Sequence, residues 1–331
     1  MKFLIAGLGS IGRRHFRNLK ALGQNEIMLY RTHQASLPDT DLDGYPTFTS
    51  LEEALAEKPD GVIIANPTAK HLEVALPAAE AGAALLIEKP VSTSLLGIRE
   101  VQNALAASGK PAMVGYHFRY HPVLRQIKEI IVSEKLGKPL KAHAHWGEFL
   151  PGWHPWEDYR FSYAARADLG GGVLSTLSHP IDYLRWLMGE VKSLSASLSN
   201  ISPLELDVED NVEMILNFHS GSLGTVHLDY YQQPASHTLE IAFEKGRIRW
   251  DNESGAAILD NAELEYCERL EPPEGFQRND MFLAEMEAFV RLCAGEQFEH
   301  CTLADGKRVQ KIIDTACQSS AQSCCSVHLP S

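Results

Sequence analysis

Short apolar runs and amphipathic stretches alternate along the first third of the chain. KFLIA (2–6) reads as a strand, residues 11–22 as a helix with Ile11, Leu19 and Leu22 inward, and EIMLY (26–30) as a second strand. Residues 32–45 are polar and proline-containing and read as a loop. TSLEEALAEK (49–58) opens a helix with Thr49 or Ser50 as N-cap and Glu52 or Glu53 three residues on. GVIIA (61–65) shows no polar alternation, so both of its faces are buried, as in a parallel sheet. A helix over 69–82 ended by Gly82, a strand at ALLIE (84–88), a helix over 95–108 and a strand at AMVGYH (112–117) complete the run. Strand and helix alternate throughout, which predicts an α/β domain built on a doubly wound parallel sheet.

The pattern then changes. Residues 121–135 read as a helix, and LKAHAHWGEFL (140–150) alternates like a half-exposed strand. Residues 171–188 read as a mostly apolar helix. NVEMILNF (211–218) and TVHLDYY (225–231) form a hairpin around a Ser/Gly turn, HTLEIAF (237–243) and RIRWDN (247–252) add two shorter strands, and helices over 280–294 and 303–320 follow. This predicts an α+β domain over 120–331 with a large, open, mostly antiparallel sheet, after a first domain over 1–119. On the hairpin, Met214, Leu216, Phe218, Val226, Leu228 and Tyr230 share one side, and Ile215, His227 and Tyr231 the other. An open sheet leaves edges and a face that need cover.

Composition narrows the function classes. The formal net charge of −13 argues against non-specific binding to nucleic acid or to anionic membranes. A small anionic ligand stays compatible, because Arg13, Arg14, His15, Arg17 and Lys20 form one local basic cluster. No run approaches the roughly 18 apolar residues of a membrane span, and the N-terminus runs directly into a strand without the pattern of a signal peptide. The 6 cysteines all lie in the last quarter, without C-x-x-C spacing, and read as reduced thiols of a cytoplasmic protein. Adjacent Cys324 and Cys325 suggest no function.

The chemistry begins at GLGSIG. Gly7, Gly9 and Gly12 directly follow the first strand and, with Ser10 and Ile11, open the first helix. In that context the spacing fits a dinucleotide pyrophosphate: tight turn, close backbone approach, and free N–H groups at a helix N-terminus. About 20 residues on, a carboxylate normally grips the adenosine ribose. Arg31 stands there instead, in LYRTH, and a guanidinium pairs with a 2′-phosphate, which favours NADP. A solvated strand-end arginine with NAD held by backbone contacts is the alternative. Asn66, Pro67 and Thr68 end the strand at 61–65, and His71 opens the next helix. Glu88, Lys89 and Pro90 end the strand at 84–88. In parallel sheets, ligands sit beyond the strands' carboxyl ends, so these residues form one cofactor-site set.

GLGSIGRRH, NPTAKH, IEKP and GYHFRYHP resemble, in order, the signature segments of the glucose–fructose oxidoreductase / inositol dehydrogenase / MocA (Gfo/Idh/MocA) family. LGGGVLSTLSHPIDYLRWL and TLADGKRVQKIIDTACQSS are similar to its second domain, so the resemblance covers nearly the whole chain. It implies a Rossmann domain and an NAD(P)-dependent oxidoreductase acting on a carbinol carbon of a sugar, nucleotide sugar or polyol. It also implies a homodimer or homotetramer formed through the open sheet. By the same resemblance, Lys89 touches both the reacting hydroxyl and the nicotinamide ribose, with Glu88 orienting it and a cis peptide before Pro90, and His179 is the catalytic acid–base. One departure stands out. Family members similar to inositol dehydrogenase carry an aspartate four residues before that histidine, where this chain has Ser175. Residues four apart share a helix face, so Ser175 still faces the site, but it cannot act as a base. Asp182 is a candidate partner for His179.

Arg119 either holds substrate hydroxyls or anchors the second domain. Trp153, with His154, Trp156 and Tyr159 near it, offers a stacking face for a sugar ring, and Arg160 a partner for a carboxylate or phosphate. His143 and His145, on one strand face, and His154 read as polar positions, so no metal is expected. Two readings compete with the dehydrogenase. One is a sensor that binds cofactor and sugar without turnover, against which intact Glu88, Lys89 and His179 argue. The other is a glycosidase that uses bound NAD transiently.

Overall fold

Aliphatic runs without polar alternation become the inner strands of a parallel sheet, and alternating runs become an open sheet with one buried face. The computed structural model describes residues 1–31, 42–263 and 266–329. The expected loop falls outside the described residues at 32–41. The chain divides into two compact units, Met1–His117 with Gln277–Gln310, and Phe118–Phe276 with Lys311–Ser331. Residues 277–310, which the sequence reading assigns to the second domain, therefore pack in the first.

In the first unit, β1 (Lys2–Ala6), α1 (Ser10–Ala21), β2 (Glu26–Tyr30), β3 (Thr47–Phe48), α2 (Leu51–Ala56), β4 (Gly61–Ile64), α3 (His71–Glu80), β5 (Ala84–Ile87), α4 (Ile98–Ser108) and β6 (Ala112–Val114) follow in order. Among the described residues the parallel sheet runs β3-β2-β1-β4-β5-β6. Phe3, Leu4, Ile5, Val62, Ile63, Leu85 and Leu86 are fully buried at its centre. Burying each such side chain stabilises the fold by about 1.5–3 kcal/mol. Ser50 caps α2, accepting from Glu53 N–H at 3.3 Å. A sheet of this kind needs cover on both faces, which is why residues 277–310 return to it.

The second unit holds α5 (Pro122–Val132), β7 (Pro139–Phe149), α6 (Val173–Thr176), α7 (His179–Met188), β8 (Val191–Ser199), β9 (Asn211–Phe218), β10 (Leu223–Asp229), β11 (Tyr231–Phe243), β12 (Gly246–Asp251), β13 (Ala257–Asn261) and β14 (Tyr266–Leu270). Then α8 (Arg278–Cys293) returns to the first unit, where Phe289 packs on Phe3 with ring centroids 6.1 Å apart. The last elements are α9 (Leu303–Ala321), which runs through the change of unit, and β15 (Val327–His328). Among the described residues the second sheet runs β14-β13-β12-β11-β7-β10-β9-β8-β15, antiparallel except for the β7–β10 pair. Met214, Leu216, Phe218, Val226, Leu228 and Tyr230 are buried on its inner face, and Ile215 is 51% exposed on the other.

The expected helix over 171–188 is two helices. Pro180 has no N–H to give the carbonyl of Thr176, so α6 stops there and α7 starts afresh with the proline in its first turn. Ser175 and His179 thus belong to different helices, so helix periodicity does not by itself put them on one face.

Candidate active site

The glycine turn leaves β1 with Gly7 at φ +92°, a conformation that favours glycine. A side chain there would lie 2.4 Å from Asn66 N, and one on Gly12 would lie 2.0 Å from the Gly7 carbonyl. Both glycines let backbone approach backbone. Gly9 differs: a Cβ there would meet nothing within 4 Å. It is also the N-cap of α1, which has no side-chain cap and no acid in its first turn. The N–H groups of Ser10 and Ile11 at this end lack intrahelical partners, which makes an anion site of the N-terminus. These features fit the pyrophosphate of NAD(P), with the Gly9 surface as the side of approach.

Beyond the end of β2, Arg31 lines a shallow recess with Leu42, Asp43, Gly44, Tyr45, Thr47 and Thr49. The sequence reading finds no carboxylate at this strand end. The fold brings one in, because Asp43 lines the same recess as Arg31.

Asn66, Pro67 and Thr68 turn the chain after β4. Asn66 Nδ2 donates to Lys70 O at 3.0 Å, and Thr68 is buried. His71 is buried, with Nδ1 3.0 Å from Pro90 O and Nε2 3.0 Å from Asn66 O. Burial lowers its pKa, with the carbonyl contacts opposing. The ring ties the Asn66 turn to the EKP turn. The Lys89–Pro90 peptide is cis, as expected.

Glu88 is buried, with Oε1 2.7 Å from His15 Nε2 and Oε2 accepting Lys89 N–H at 3.2 Å. Gly115 makes room for this carboxyl, since a Cβ there would lie 3.2 Å from it. Burial pushes the Glu88 pKa up. The hydrogen bond and charge of His15, with the Lys89 charge, outweigh burial and hold it below the ordinary value. Lys89 is half-buried beside it. A third group joins them from α8. Glu285 is fully buried, and the donor and acceptor atoms of His15, Glu88 and Glu285 lie within 4.8 Å of one another. Burial, then the charge of Glu88, pushes the Glu285 carboxyl well above the usual range. Sequence reasoning missed Glu285. In a helix of the last quarter it looks like a surface residue, and only its spacing with Phe282 and Phe289 on the inward face marks it as buried.

The basic cluster at 13–20 does not act as one patch. Arg13 is buried with Nε on Leu8 O at 3.1 Å, His15 is buried against Glu88, and the Arg14 guanidinium lies 4.3 Å from the Phe282 ring centroid.

In the second unit, His179 opens α7 and is buried, with Phe118 edge-on at 5.0 Å and Trp146 tilted at 5.8 Å. Asp182 goes to Arg119, not to His179. Arg119 Nε and Nη2 donate to Asp182 Oδ2 at 2.8 Å and Oδ1 at 2.6 Å, a buried two-point fork. This geometry is that of an anchor. Ser175 is half-buried on α6. Arg160 is exposed, with its guanidinium on Asp158 at 2.7 Å and Glu205 at 3.1 Å, so an anionic ligand would compete with two carboxylates. Trp153 packs edge-on to Tyr230 at 5.7 Å. Gly171 and Gly172 allow close approach, since side chains there would lie 2.4 Å from Tyr163 O and from Glu209 Oε1 respectively.

Residues 1–116 match the oxidoreductase family with an NAD-binding Rossmann fold, and residues 124–249 match the GFO/IDH/MocA C-terminal domain. The chain is 28% identical to the uncharacterized oxidoreductase YrbE of Bacillus subtilis (strain 168), over 96% of this chain and 93% of that one. It is 29% identical to inositol 2-dehydrogenase of Acidiphilium cryptum, over 66% of this chain and 63% of that one. Levoglucosan dehydrogenase in complex with NADH and levoglucosan has a similar fold, with TM-score 0.88 and 20% identity over 100% of both chains. No helix among the described residues is long and apolar enough to cross a membrane.

Proposed function

The chain belongs to the Gfo/Idh/MocA family of NAD-binding oxidoreductases, and from that premise we propose that it oxidises a ring or chain CH–OH of a sugar, nucleotide sugar or related polyol. The relatives' names support that substrate class. The observation that carries the reading is the buried Glu88 beside half-buried Lys89, in the unit that also holds the uncapped glycine turn.

The backbone at Gly7, Gly9, Ser10, Ile11 and Gly12 would hold the pyrophosphate of the cofactor, and Asn66, Pro67 and Thr68, whose turn His71 holds, would contribute to the same cofactor site. Bound NAD(P) supplies the acceptor for one hydride. In our reading the Lys89 ammonium hydrogen-bonds the reacting oxygen and stabilises its negative charge as the C–H bond breaks. Glu88 fixes the Lys89 backbone through the Lys89 N–H bond. His179 takes the hydroxyl proton, so the alcohol loses H⁻ and H⁺ and becomes a carbonyl. Ser175 and Trp153 contact the substrate. Arg119 positions the segment before α5 through Asp182, and Arg160 gives an acidic sugar a partner at the rim.

Arg31 is our determinant for NADP, through the 2′-phosphate. Asp43 in the same recess is the residue suited to the free ribose of NAD. The 6 thiols, none of them in a disulfide, support a cytoplasmic location. Exposed Ile215 and Leu223 on the outer sheet face support a homo-oligomer formed there.

The test is nicotinamide absorbance with NAD and NADP against free sugars, uronates, cyclitols and nucleotide sugars. Reduction of either cofactor with one substrate class supports the reading. Tight cofactor binding with no reduction across the panel would sink it and favour the sensor or the glycosidase.

A further inference from the structure

On the outer face of the second unit's sheet, ligand-type atoms converge from three strands. β7 and β10 run parallel with His145 directly opposite His227, and the two rings stack with centroids 4.7 Å apart and planes 11° apart. His145 Nε2 lies 2.7 Å from Gln232 Oε1 of β11, and His227 Nε2 lies 2.9 Å from Asp229 Oδ2. One nitrogen of each histidine and one oxygen of Asp229 all lie within 4.8 Å of one another. Gly147 stands opposite Asp229 in the β7–β10 register. A Cβ on it would lie 2.1 Å from Gln232 Oε1 and 2.3 Å from Asp229 Oδ2, so only glycine leaves those oxygens their place.

The groups behind these atoms are fixed as well. His227 Nδ1 lies 2.5 Å from Oε1 of Glu213, its direct neighbour on β9. A carboxylate on the far nitrogen is the arrangement that sets the tautomer and orientation of a metal-ligating imidazole. Asp229 is buried, and its Oδ1 accepts from Tyr231 N at 3.0 Å and Gln232 N at 2.7 Å, which turns Oδ2 toward His227. Two carboxylates therefore face two imidazoles on a half-buried surface, where a divalent cation would balance the charge.

We propose that His145 Nε2, His227 Nε2 and Asp229 Oδ2, with Gln232 Oε1 as fourth donor, bind one divalent transition-metal cation of the zinc class. Two imidazoles, a carboxylate and an amide oxygen make a four-donor N/O set that suits zinc and its neighbours better than magnesium or calcium, which prefer all-oxygen shells. Bonds of about 2.0–2.2 Å would draw the side chains together, and the cation would replace the two N–H···O hydrogen bonds and displace their protons. The site clips β7, β10 and β11 together, with β9 held through Glu213. It uses no residue assigned above to cofactor or substrate. His143 lies on the same strand face but bonds Thr225 Oγ1 at 2.8 Å and stands outside the cluster, so it serves as a control.

The test uses the full chain, stripped with chelator and dialysed, titrated with ZnCl₂ by calorimetry and with CoCl₂ by visible absorption. The variants are His145→Gln, His227→Gln, Glu213→Gln and His143→Gln, each checked for native circular dichroism. The expected result is one equivalent of Zn²⁺ per chain and a four-coordinate Co²⁺ spectrum that Zn²⁺ displaces. His145→Gln and His227→Gln should abolish both, Glu213→Gln should weaken affinity by about 10–100-fold, and His143→Gln should change neither. Failure of the wild-type chain to bind a stoichiometric cation would overturn the proposal. So would equal binding by His145→Gln and His227→Gln, or equal loss in His143→Gln.

Discussion

A carboxyl oxygen of Glu285 lies within 4.8 Å of one of Glu88 in the buried interior of the first unit. Two carboxylates so placed cannot both ionise cheaply. His15 decides between them: its bond to Glu88 favours the charge there, and Glu285 keeps the proton.

Stability versus pH should reveal that proton. The folded-state pKa of Glu285 is raised, so above the ordinary carboxylate value the native chain binds a proton that the unfolded chain has lost. Stability therefore falls as pH rises toward the folded value. Glu285→Gln keeps the shape of the protonated acid and removes this slope. In urea unfolding the variant should match wild type in acid and gain by about 1.4 kcal/mol per pH unit above it. A pH-independent difference would contradict the assignment.

The glycines should separate by substitution. Gly12→Ala drives a Cβ into the Gly7 carbonyl, so it should lower the melting temperature of the cofactor-free chain and its cofactor affinity together. Gly9→Ala meets no protein atom and should lower the melting temperature only by the small cost of alanine at the N-cap, while weakening NADH affinity, read by fluorescence titration. Equal behaviour of the two would remove Gly9 from the pyrophosphate surface.

The Arg119–Asp182 fork should behave as an anchor. Asp182→Ala leaves a buried guanidinium without this partner and should cost about 3–5 kcal/mol in urea unfolding. Replacing both residues by apolar ones of similar volume should recover much of that loss. A small cost for Asp182→Ala, with KM raised and stability intact, would point to a substrate role for Arg119 instead.

Cofactor choice should turn on the recess beyond β2. Arg31→Ala should lower kcat/KM with NADP more than with NAD, by about tenfold for each 1.4 kcal/mol of lost 2′-phosphate contact. Asp43→Ala should move the ratio the other way. An unchanged ratio in both would leave cofactor choice outside this recess.

Local signals were legible and distant ones were not. The turn at Gly7, Gly9 and Gly12 and the EKP segment each lie within a few residues of a strand end, so spacing alone identifies them. The break before His179 was written in Pro180, but the apolar run on either side masked it. β8 escaped notice because VKSLSASLS sets serine where a strand's pattern would be strongest, although Leu194 and Ala196 are buried. His227 and Asp229 meet His145 across about 80 residues, and Glu285 meets Glu88 and His15 across about 200 and 270, through sheet register and helix return that periodicity does not reveal. The return of 277–310 to the first unit follows from its sheet's need for cover, a tertiary requirement with no local mark.

Lys89 bears the central claim, and one paired measurement tests it most directly. With a substrate from the panel in hand, NADH affinity and steady-state turnover would be compared between wild type and Lys89→Met. The account predicts affinity within a few-fold of wild type and kcat reduced by about 10²–10³ or more, the cost of removing one charge-stabilising donor. Turnover that survives in Lys89→Met would contradict it, because no ammonium would then be needed where negative charge develops on the reacting oxygen.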